Sequence, residues 1–246
     1  MSTSTNPSRP VALVTGAGRR VGRALALAVG RAGYDVAVHY HATAQGAEET
    51  ARELVSAGAR TELFNADLGT AEAPAALVKQ TVSAMGRLDV VINSAAIMER
   101  TPMGSITAAT WDAILNLNLR APFLIAQEAA RHLPDGGVII NIADLSAFET
   151  WPGYVPHGVS KAAVVHVTRA LARVLAPRVR VNAVAPGTVL LPDGWNEQES
   201  ERLRATTPLK RWGTPDDVAG AVLYLIGATY VTGETIIVDG GRHVRS

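Results

Sequence analysis

The chain has 246 residues, of which 48% are hydrophobic and 18% charged, with no cysteine and a formal net charge of +1 at neutral pH. This composition predicts a globular protein with a sizeable core. It excludes disulfides and thiolate metal sites and argues against a nucleic-acid binder that works by neutralising phosphates. Residues 1–9 are small and polar, which predicts a disordered tail rather than a signal peptide, and no apolar run is long enough to span a membrane. We therefore expect a cytoplasmic protein.

Short apolar runs alternate with helical stretches along the chain. Apolar runs bounded by turn residues indicate buried strands, whereas apolar residues three and four positions apart indicate helices. Predicted strands cover 11–15, 35–40, 60–66, 89–95, 137–143, 178–185 and 235–239. Predicted helices cover 20–32, 43–57, 70–85, 108–132, 157–176 and 214–227.

This alternation predicts one α/β domain over residues 10–246. Strands that are apolar on both faces belong in a parallel sheet covered by helices on both sides, here a Rossmann-type doubly wound sheet of about seven strands. Residues 187–213 are rich in glycine, proline and charge and show no clear pattern, so they form either a lid or a plain surface loop. Ligands of such sheets bind at the carboxyl ends of the strands, where functional residues are therefore expected.

A glycine-rich turn follows the first strand, in the segment TGAGRRVGRALALA at 15–28. Gly16 can make the turn out of the strand, Gly22 allows close packing of the helix, and the helix amino terminus offers N–H groups to a pyrophosphate. The spacing differs from GxGxxG because Arg20 stands where a glycine is common, followed by Val21. The turn predicts a dinucleotide site with a guanidinium beside the phosphates.

The end of the second strand bears on the choice between NAD and NADP. NAD enzymes usually place an acid there, whereas this strand ends in His39, His41 and Thr43 without a carboxylate nearby. The pattern favours NADP(H), although an arginine or lysine would bind the 2′-phosphate more strongly and position 42 is alanine. No metal site is predicted, because the two histidines lack a third ligand.

Two further strand ends are expected to contact the cofactor. Asp67, followed by Leu68, closes the third strand and can receive the adenine amino group. The fourth strand ends in INSAA, where Asn93, Ser94 and Ala95 are small and polar enough for the backbone to lie against a ribose.

Taken together, these segments resemble the short-chain dehydrogenase/reductase family over nearly the whole chain. The matching segments are TGAGRRVG, ADL, INSAA, NLNLRAPF, SKAAV, VNAVAPG and VTGETIIVDGG. Within the family the chain looks most like the pteridine reductases. These have an arginine in the phosphate loop, here Arg20, a HYH run after strand two, here 39–41, and an aspartate in place of the catalytic serine, here Asp144. They also carry a Gly-Tyr pair, here Gly153 and Tyr154.

The resemblance implies roles for individual residues. Asn118 would help to hold a proton-relay water, and Lys161 would hold the nicotinamide ribose and lower a neighbour's pKa. Pro186 and Gly187 would lie against the nicotinamide carboxamide. The chain departs from the pteridine reductases at Ala42, which replaces the arginine used for the 2′-phosphate.

The second departure is at the catalytic tyrosine position, which is occupied by His157. His157 and Lys161 are four residues apart and share one helix face, and Asp144 reaches the same place from the end of strand five. Because either form of histidine can donate a proton near neutral pH, an Asp144–His157 pair is predicted as the acid. Two alternatives stay open: the site has lost turnover, or Tyr154 is the acid.

The resulting hypothesis is an NADP(H)-dependent oxidoreductase that reduces a small carbonyl compound or cyclic imine, with a pterin as the first substrate expected. Arg20, Tyr154, Trp151 and Trp195 are the predicted substrate contacts, since aromatic rings suit a flat ligand. The rival hypothesis is a non-catalytic dinucleotide-binding or regulatory protein. Family resemblance implies a homotetramer or homodimer built on the two long helices, without nucleic-acid or membrane partners.

Overall fold

The computed structural model describes residues 9–190 and 197–244. Within these ranges seven strands form one parallel sheet in the order β3-β2-β1-β4-β5-β6-β7. The strands are β1 Val11–Val14, β2 Asp35–Tyr40, β3 Thr61–Asn65, β4 Val90–Asn93, β5 Gly137–Ile142, β6 Val179–Pro186 and β7 Thr235–Val238. The helices are α1 Arg20–Arg31, α2 Ala44–Ser56, α3 Ala73–Met85, α4 Ala108–Leu115, α5 Ala121–Ala129, α6 Val155–Leu175, α7 Glu197–Thr206 and α8 Pro215–Gly227. The fold is the predicted doubly wound α/β domain.

The sheet is buried on both faces, which explains why its strands are continuously apolar. Successive side chains of β1 alternate between the two faces. Ala12 and Val14 pack into the core with α1, α2 and α8. Val11 and Leu13 pack into the opposite core with α3, α5 and α6. Each apolar residue of the strand is therefore used by one of the two helical layers.

The strand order reverses between β1 and β4. From β1 the chain builds outward through β2 and β3, then returns to add β4 through β7 on the other side. At such a reversal the two connecting loops leave in opposite directions and open a crevice at the carboxyl ends of the strands. The glycine-rich loop after β1 and the loop after β4 flank this crevice.

Three segments differ from the sequence prediction. The helix expected at 108–132 is interrupted by a π-helical turn, Asn116–Arg120, between α4 and α5. The predicted lid or loop at 187–213 contains α7, a charged helix with few apolar residues to signal it. Arg9, expected in the disordered tail, donates hydrogen bonds to the carbonyl oxygens of Gly33 (2.9 Å) and Gly30 (3.0 Å). No helix in the described ranges is long and apolar enough to cross a bilayer.

Candidate active site

The loop after β1 needs glycine for steric reasons. Gly16 has φ 68°, in the left-handed region, and a Cβ there would lie 3.0 Å from the Cα of Ala95. A Cβ at Gly22 would collide with the carbonyl oxygen of Gly16. The first turn of α1 has no side-chain cap and no acidic residue, so its N–H groups face the crevice without a competing carboxylate. This cradle fits a pyrophosphate.

The loop after β4 is held to β1 by a residue that the sequence argument missed. The Thr15 hydroxyl accepts hydrogen bonds from the backbone N–H groups of Ser94 (2.9 Å) and Ala95 (3.1 Å). Thr15 is buried, and its hydroxyl bridges the two sides of the crevice. The threonine preceding Gly16 in the glycine-rich segment was the available signal.

The start of α2 packs directly on the glycine-rich loop. A Cβ at Gly18 would collide with the Thr43 hydroxyl, and one at Gly46 would collide with the Gly18 carbonyl oxygen. Thr43 therefore packs on the glycine-rich loop, and His41 beside it is exposed. Arg20 is exposed and adopts φ 51°, a conformation in which a non-glycine residue is strained.

His39 does not have the geometry predicted for it. It was expected to contact the 2′-phosphate, but it is 2% exposed and both of its ring nitrogens are engaged by the backbone. Nδ1 accepts a hydrogen bond from the Gly16 N–H (3.2 Å), so Nε2 carries the proton and donates to the Ala66 carbonyl oxygen (3.1 Å). The imidazole joins the ends of β1 and β3 and leaves no atom free for a phosphate.

Burial lowers the pKa of His39 to about 4. The nearby His41 also lowers this pKa, whereas the hydrogen bond to Ala66 raises it. The unfolded chain therefore binds more protons between pH 6.5 and about 4. The stabilising contribution is complete above this window and is lost as pH falls through it, by about 3 kcal/mol. Urea unfolding should show this loss, and His39→Gln, which can keep both hydrogen bonds, should remove it. His166→Gln, at an exposed site on α6, is the control and should keep the wild-type pH dependence; equal curves for the two variants would contradict the assignment.

Two other predicted cofactor contacts turn their side chains inward. The Leu68 side chain lies in the core beside α3. The Asn93 amide donates to Asn141 Oδ1 (2.9 Å), and Asn141 donates to the Thr168 hydroxyl (2.9 Å). Only the backbone of Leu68 and Asn93 can therefore meet a cofactor. Asp67 remains exposed at the crevice side of the sheet, where its carboxylate accepts the Gly69 N–H (2.9 Å).

The predicted catalytic residues come together at the end of β5. The Asp144 carboxylate oxygen Oδ2 lies 2.6 Å from His157 Nε2. Its Oδ1 accepts the Ser146 N–H (2.8 Å) and also the Ser146 hydroxyl, because Asp144 caps the short 3-10 turn at 145–147. Lys161 lies one turn beyond His157 on α6 and donates from Nζ to the Ile142 carbonyl oxygen (2.8 Å). A carboxylate, an imidazole and an ammonium thus share one small site.

The electrostatics of this cluster favour the charged carboxylate. Burial would raise the pKa of Asp144, but the hydrogen bond from His157 and the nearby Lys161 charge together hold it below its usual value. Burial lowers the pKa of Lys161, and the Asp144 charge opposes that effect. Among these groups, the residue whose pKa the Lys161 charge lowers is Asp144.

Asn118 reaches the cluster from the π turn. Its amide oxygen accepts the Ile97 N–H (2.8 Å), and its amide nitrogen donates to the Ile97 carbonyl oxygen (2.9 Å) and to the Ser160 hydroxyl (3.1 Å). The same Ile97 oxygen lies 3.0 Å from His157 Nδ1. Asn118 therefore binds the loop after β4 to α6. Ile97 and Ser160 are contributors that sequence reasoning missed, and a backbone carbonyl leaves no residue-type signal.

The predicted substrate residues are only partly assembled. Trp151 and Tyr154 form an edge-to-face pair, with ring centroids 6.3 Å apart, at the entry to α6. The Thr101 N–H donates to the Gly153 carbonyl oxygen (2.7 Å), which ties this aromatic pair to the loop after β4. Trp195 lies outside the described residues.

The segment after β6 lies against the C-terminal strand. Pro186 is buried at the end of β6. The Gly187 N–H donates to the Val238 carbonyl oxygen (2.9 Å), and a Cβ on Gly187 would lie 2.7 Å from that of Asp239. Gly187 is therefore required for close packing on the strand after α8, whatever further contact it makes with a nicotinamide.

A dinucleotide cradle at the sheet reversal, beside a lysine-centred cluster, defines a nicotinamide-dependent oxidoreductase class. Residues 16–243 match a sequence family described as enoyl-(acyl carrier protein) reductase. The chain is 34% identical over 240 residues to the 3-oxoacyl-[acyl-carrier-protein] reductase of Staphylococcus aureus, covering 95% of this chain and 98% of that one. The protein belongs to the short-chain dehydrogenase/reductase family, as its sequence predicts.

Solved structures agree with this assignment. A short-chain dehydrogenase/reductase variant from Serratia marcescens superposes with a TM-score of 0.90 at 34% identity, over 97% of this chain and 100% of that one. A blue fluorescent protein from a metagenomic library, in complex with NADPH, gives a TM-score of 0.89 at 33% identity, over 95% and 97% of the two chains. The predicted fold is confirmed at this level of similarity.

Proposed function

We propose that the protein is an NADP(H)-dependent reductase of a small carbonyl compound or cyclic imine. The observation that carries the proposal is the 2.6 Å contact between Asp144 and His157, with the buried Lys161 ammonium beside it. A largely buried acid–base pair next to a dinucleotide cradle suits a reaction that needs a positioned proton donor. A protein that only binds a dinucleotide has no need to place a partly exposed carboxylate against two buried ionisable groups.

The cofactor is NADP(H), which is typical of the family and is bound by the fluorescent relative. The glycine loop and the open first turn of α1 would hold its pyrophosphate, and His41 with Thr43 would line the 2′-phosphate side. When bound, the reduced cofactor supplies the hydride. The chain's own residues hold and move the proton: Asp144 and His157 store it, and Lys161 stabilises the negative charge that remains after transfer.

The substrate class is tested by hydride exchange, followed through the absorbance of the reduced nicotinamide. The panel should include a dihydropterin, a cyclic imine, a small ketone and a 3-oxoacyl thioester, because the Staphylococcus aureus relative is named for the last. We expect turnover of the dihydropterin, since the aromatic pair Trp151 and Tyr154 can pack on a flat ring. Turnover of only the thioester would replace the pterin with an acyl substrate. No exchange with any compound, despite NADPH binding, would support the non-catalytic alternative.

Cofactor preference gives a second test, at the exposed Ala42. An arginine at this position adds a charge-assisted hydrogen bond to a 2′-phosphate. Ala42→Arg should therefore strengthen NADPH binding about tenfold and leave NADH binding nearly unchanged. Fluorescence titration with both nucleotides measures the ratio, and Ser83→Arg, which adds the same charge on an exposed part of α3, is the control. An unchanged ratio would place the 2′-phosphate elsewhere.

Self-association is proposed through α5 and α6. Phe123 on α5 and Val159 and Val174 on α6 are exposed, with 39%, 44% and 74% of their surface accessible. Large apolar side chains on neighbouring helices favour an interface with a second copy. Sedimentation velocity should show a dimer or tetramer, and Val174→Asp should shift it toward monomer. A wild-type monomer at micromolar concentration would contradict the proposal.

A further inference from the structure

The hydrogen bonds around His157 determine which of its nitrogens keeps a proton. The Asn118 amide has two hydrogens, and both are used, one by the Ile97 carbonyl oxygen and one by the Ser160 hydroxyl. The Ser160 hydroxyl is itself a donor, to the His157 carbonyl oxygen (2.6 Å). His157 Nδ1 lies 3.4 Å from the same amide nitrogen, farther than either of these acceptors, so Asn118 has no hydrogen left for it. Since a carbonyl oxygen only accepts, Nδ1 must carry the proton in its contact with Ile97 (3.0 Å).

The other nitrogen, Nε2, faces Asp144. Two atoms that both lack a hydrogen would not approach to 2.6 Å, so one proton lies between Nε2 and Oδ2. The opposite carboxylate oxygen already accepts two hydrogen bonds from Ser146, which keeps a proton away from Oδ1. The pair therefore holds one transferable proton, on a single axis.

Access to the crevice differs sharply between the two partners. The His157 side chain is 2% exposed and the Asp144 side chain is 19% exposed. A substrate can thus touch the carboxyl group but not the imidazole. We propose that Asp144 donates the proton to the substrate. His157 is then a positioning residue, which holds this proton on the buried side of Asp144. The proposal rests on the reductase function proposed above and revises the role that the sequence suggested for His157.

At the start of the proton transfer, His157 carries hydrogens on both nitrogens and Asp144 is a carboxylate. Reduction of the carbonyl or imine would leave an additional lone pair on its heteroatom. The Nε2 hydrogen crosses to Asp144 Oδ2, and the carboxyl O–H turns to the heteroatom and protonates it. The imidazole is then neutral and still protonated on Nδ1, and Asp144 is again a carboxylate. One proton from water reprotonates Nε2 and restores the starting state.

Among the residues that the structure describes, the charged group that acts on the pair is Lys161, one turn further along α6. Asn118 and Ile97, from the π turn and the loop after β4, are neutral. Lys161 is the cation acting on Asp144 besides His157. Loss of the imidazole should therefore leave a carboxyl group that must take its own proton from solvent.

Two variants distinguish the proton donor, Asp144, from the positioning residue, His157. In His157→Gln the amide can still donate to Oδ2 but cannot release a proton. Its kcat should fall about 100-fold near neutral pH and recover about tenfold per unit as pH falls from about 8 to about 5, because Asp144 protonates itself. In Asp144→Asn the kcat should fall at least as far and stay low at every pH. His166→Gln, exposed on the same helix, is the control and should match wild type.

The opposite pattern would overturn the proposal. If His157→Gln stays inactive at all pH values while Asp144→Asn keeps a titrating activity, the imidazole meets the substrate directly. A loss that is equal and independent of pH in both variants would also overturn it, as would the retention of wild-type kcat by Asp144→Asn. A large loss in Tyr154→Phe with full activity in Asp144→Asn would assign the donor to Tyr154.

A readout without turnover separates this proposal from the function on which it rests. The measurement is nitrogen-15 NMR of the NADPH complex, with the protein labelled at its histidines. The signals that disappear in His157→Gln are assigned to His157. Nδ1 should be protonated in wild type and in Asp144→Asn, whereas Nε2 should lose its proton only when Asp144 is removed. An Nδ1 without a proton would contradict the tautomer derived from Asn118 and Ile97. If the tautomer is as expected but no substrate reacts, the proposed reductase function is wrong, whereas the proton positions derived for His157 are correct.

Discussion

Replacing Lys161 by methionine should lower kcat by about 1,000-fold while the protein stays folded. Lys161 is 5% exposed, and its ammonium donates to the Ile142 carbonyl oxygen and supplies the positive charge that helps to keep Asp144 ionised. Losing a buried positive charge beside developing negative charge has effects of this order. Because methionine leaves Asp144 and the Ile142 carbonyl oxygen without the buried ammonium, it should also lower the free energy of unfolding, by about 3 kcal/mol.

The pH profile makes the test specific. Without the Lys161 charge the pKa of Asp144 should rise, so the residual activity should extend to higher pH than in wild type. Steady-state kinetics with NADPH in excess give kcat, and urea unfolding gives stability. Lys79→Met, on the exposed face of α3, is the matched control and should leave both unchanged. A Lys161→Met enzyme with wild-type kcat would show that the ammonium takes no part in the reaction.

Restoring tyrosine at position 157 should impair the wild-type site and succeed only when position 144 changes as well. His157 is 1% exposed and Asp144 lies 2.6 Å beyond its ring, so a longer phenol must collide with the carboxylate or donate to it. Overpacking of this kind destabilises by about 1–3 kcal/mol. His157→Tyr alone should therefore lose about 100-fold in kcat. Asp144→Ser/His157→Tyr makes room for the phenol and should recover most of the loss.

The single and double variants should be compared in kcat, pH profile and thermal stability. The double variant should titrate as a phenol whose pKa is lowered by Lys161, which no carboxyl–imidazole pair would reproduce. Asp144→Ser alone is the control for the loss of the carboxylate. If His157→Tyr alone exceeds wild-type activity, the histidine is a defect and the Asp144–His157 pair is no working acid.

Most of the fold could be predicted because burial on both faces leaves a direct mark on the sequence. All seven strands appear within two residues of their predicted ends. Helix ends were less accurate: α6 begins at Val155 rather than at 157, because Pro156 resembles a break although proline suits the first turn of a helix. The π turn was missed because a wider hydrogen-bond pattern has no compositional signal.

The site was predictable where spacing along one element decides the geometry. His157 and Lys161 share a helix face by their four-residue separation, and the end of a parallel strand brings Asp144 to them. His39 was misjudged because its partners are backbone groups of Gly16 and Ala66, distant in sequence. The orientation of the imidazole, like the part played by the Ile97 carbonyl, depends on such long-range contacts and could not be predicted from local residue types.

The π turn at Asn116–Arg120 has a consequence for how this site can change. An i+5 hydrogen-bond pattern accommodates one residue more than a regular turn, so the segments before and after it are rotated by about 100° relative to an unbroken helix. Asn118 can thus point toward α6 while Ile125 and Ala129, further along, still point into the core. We therefore expect substitutions beside Asn118 to alter the site while leaving the packing of α5 against the core unchanged.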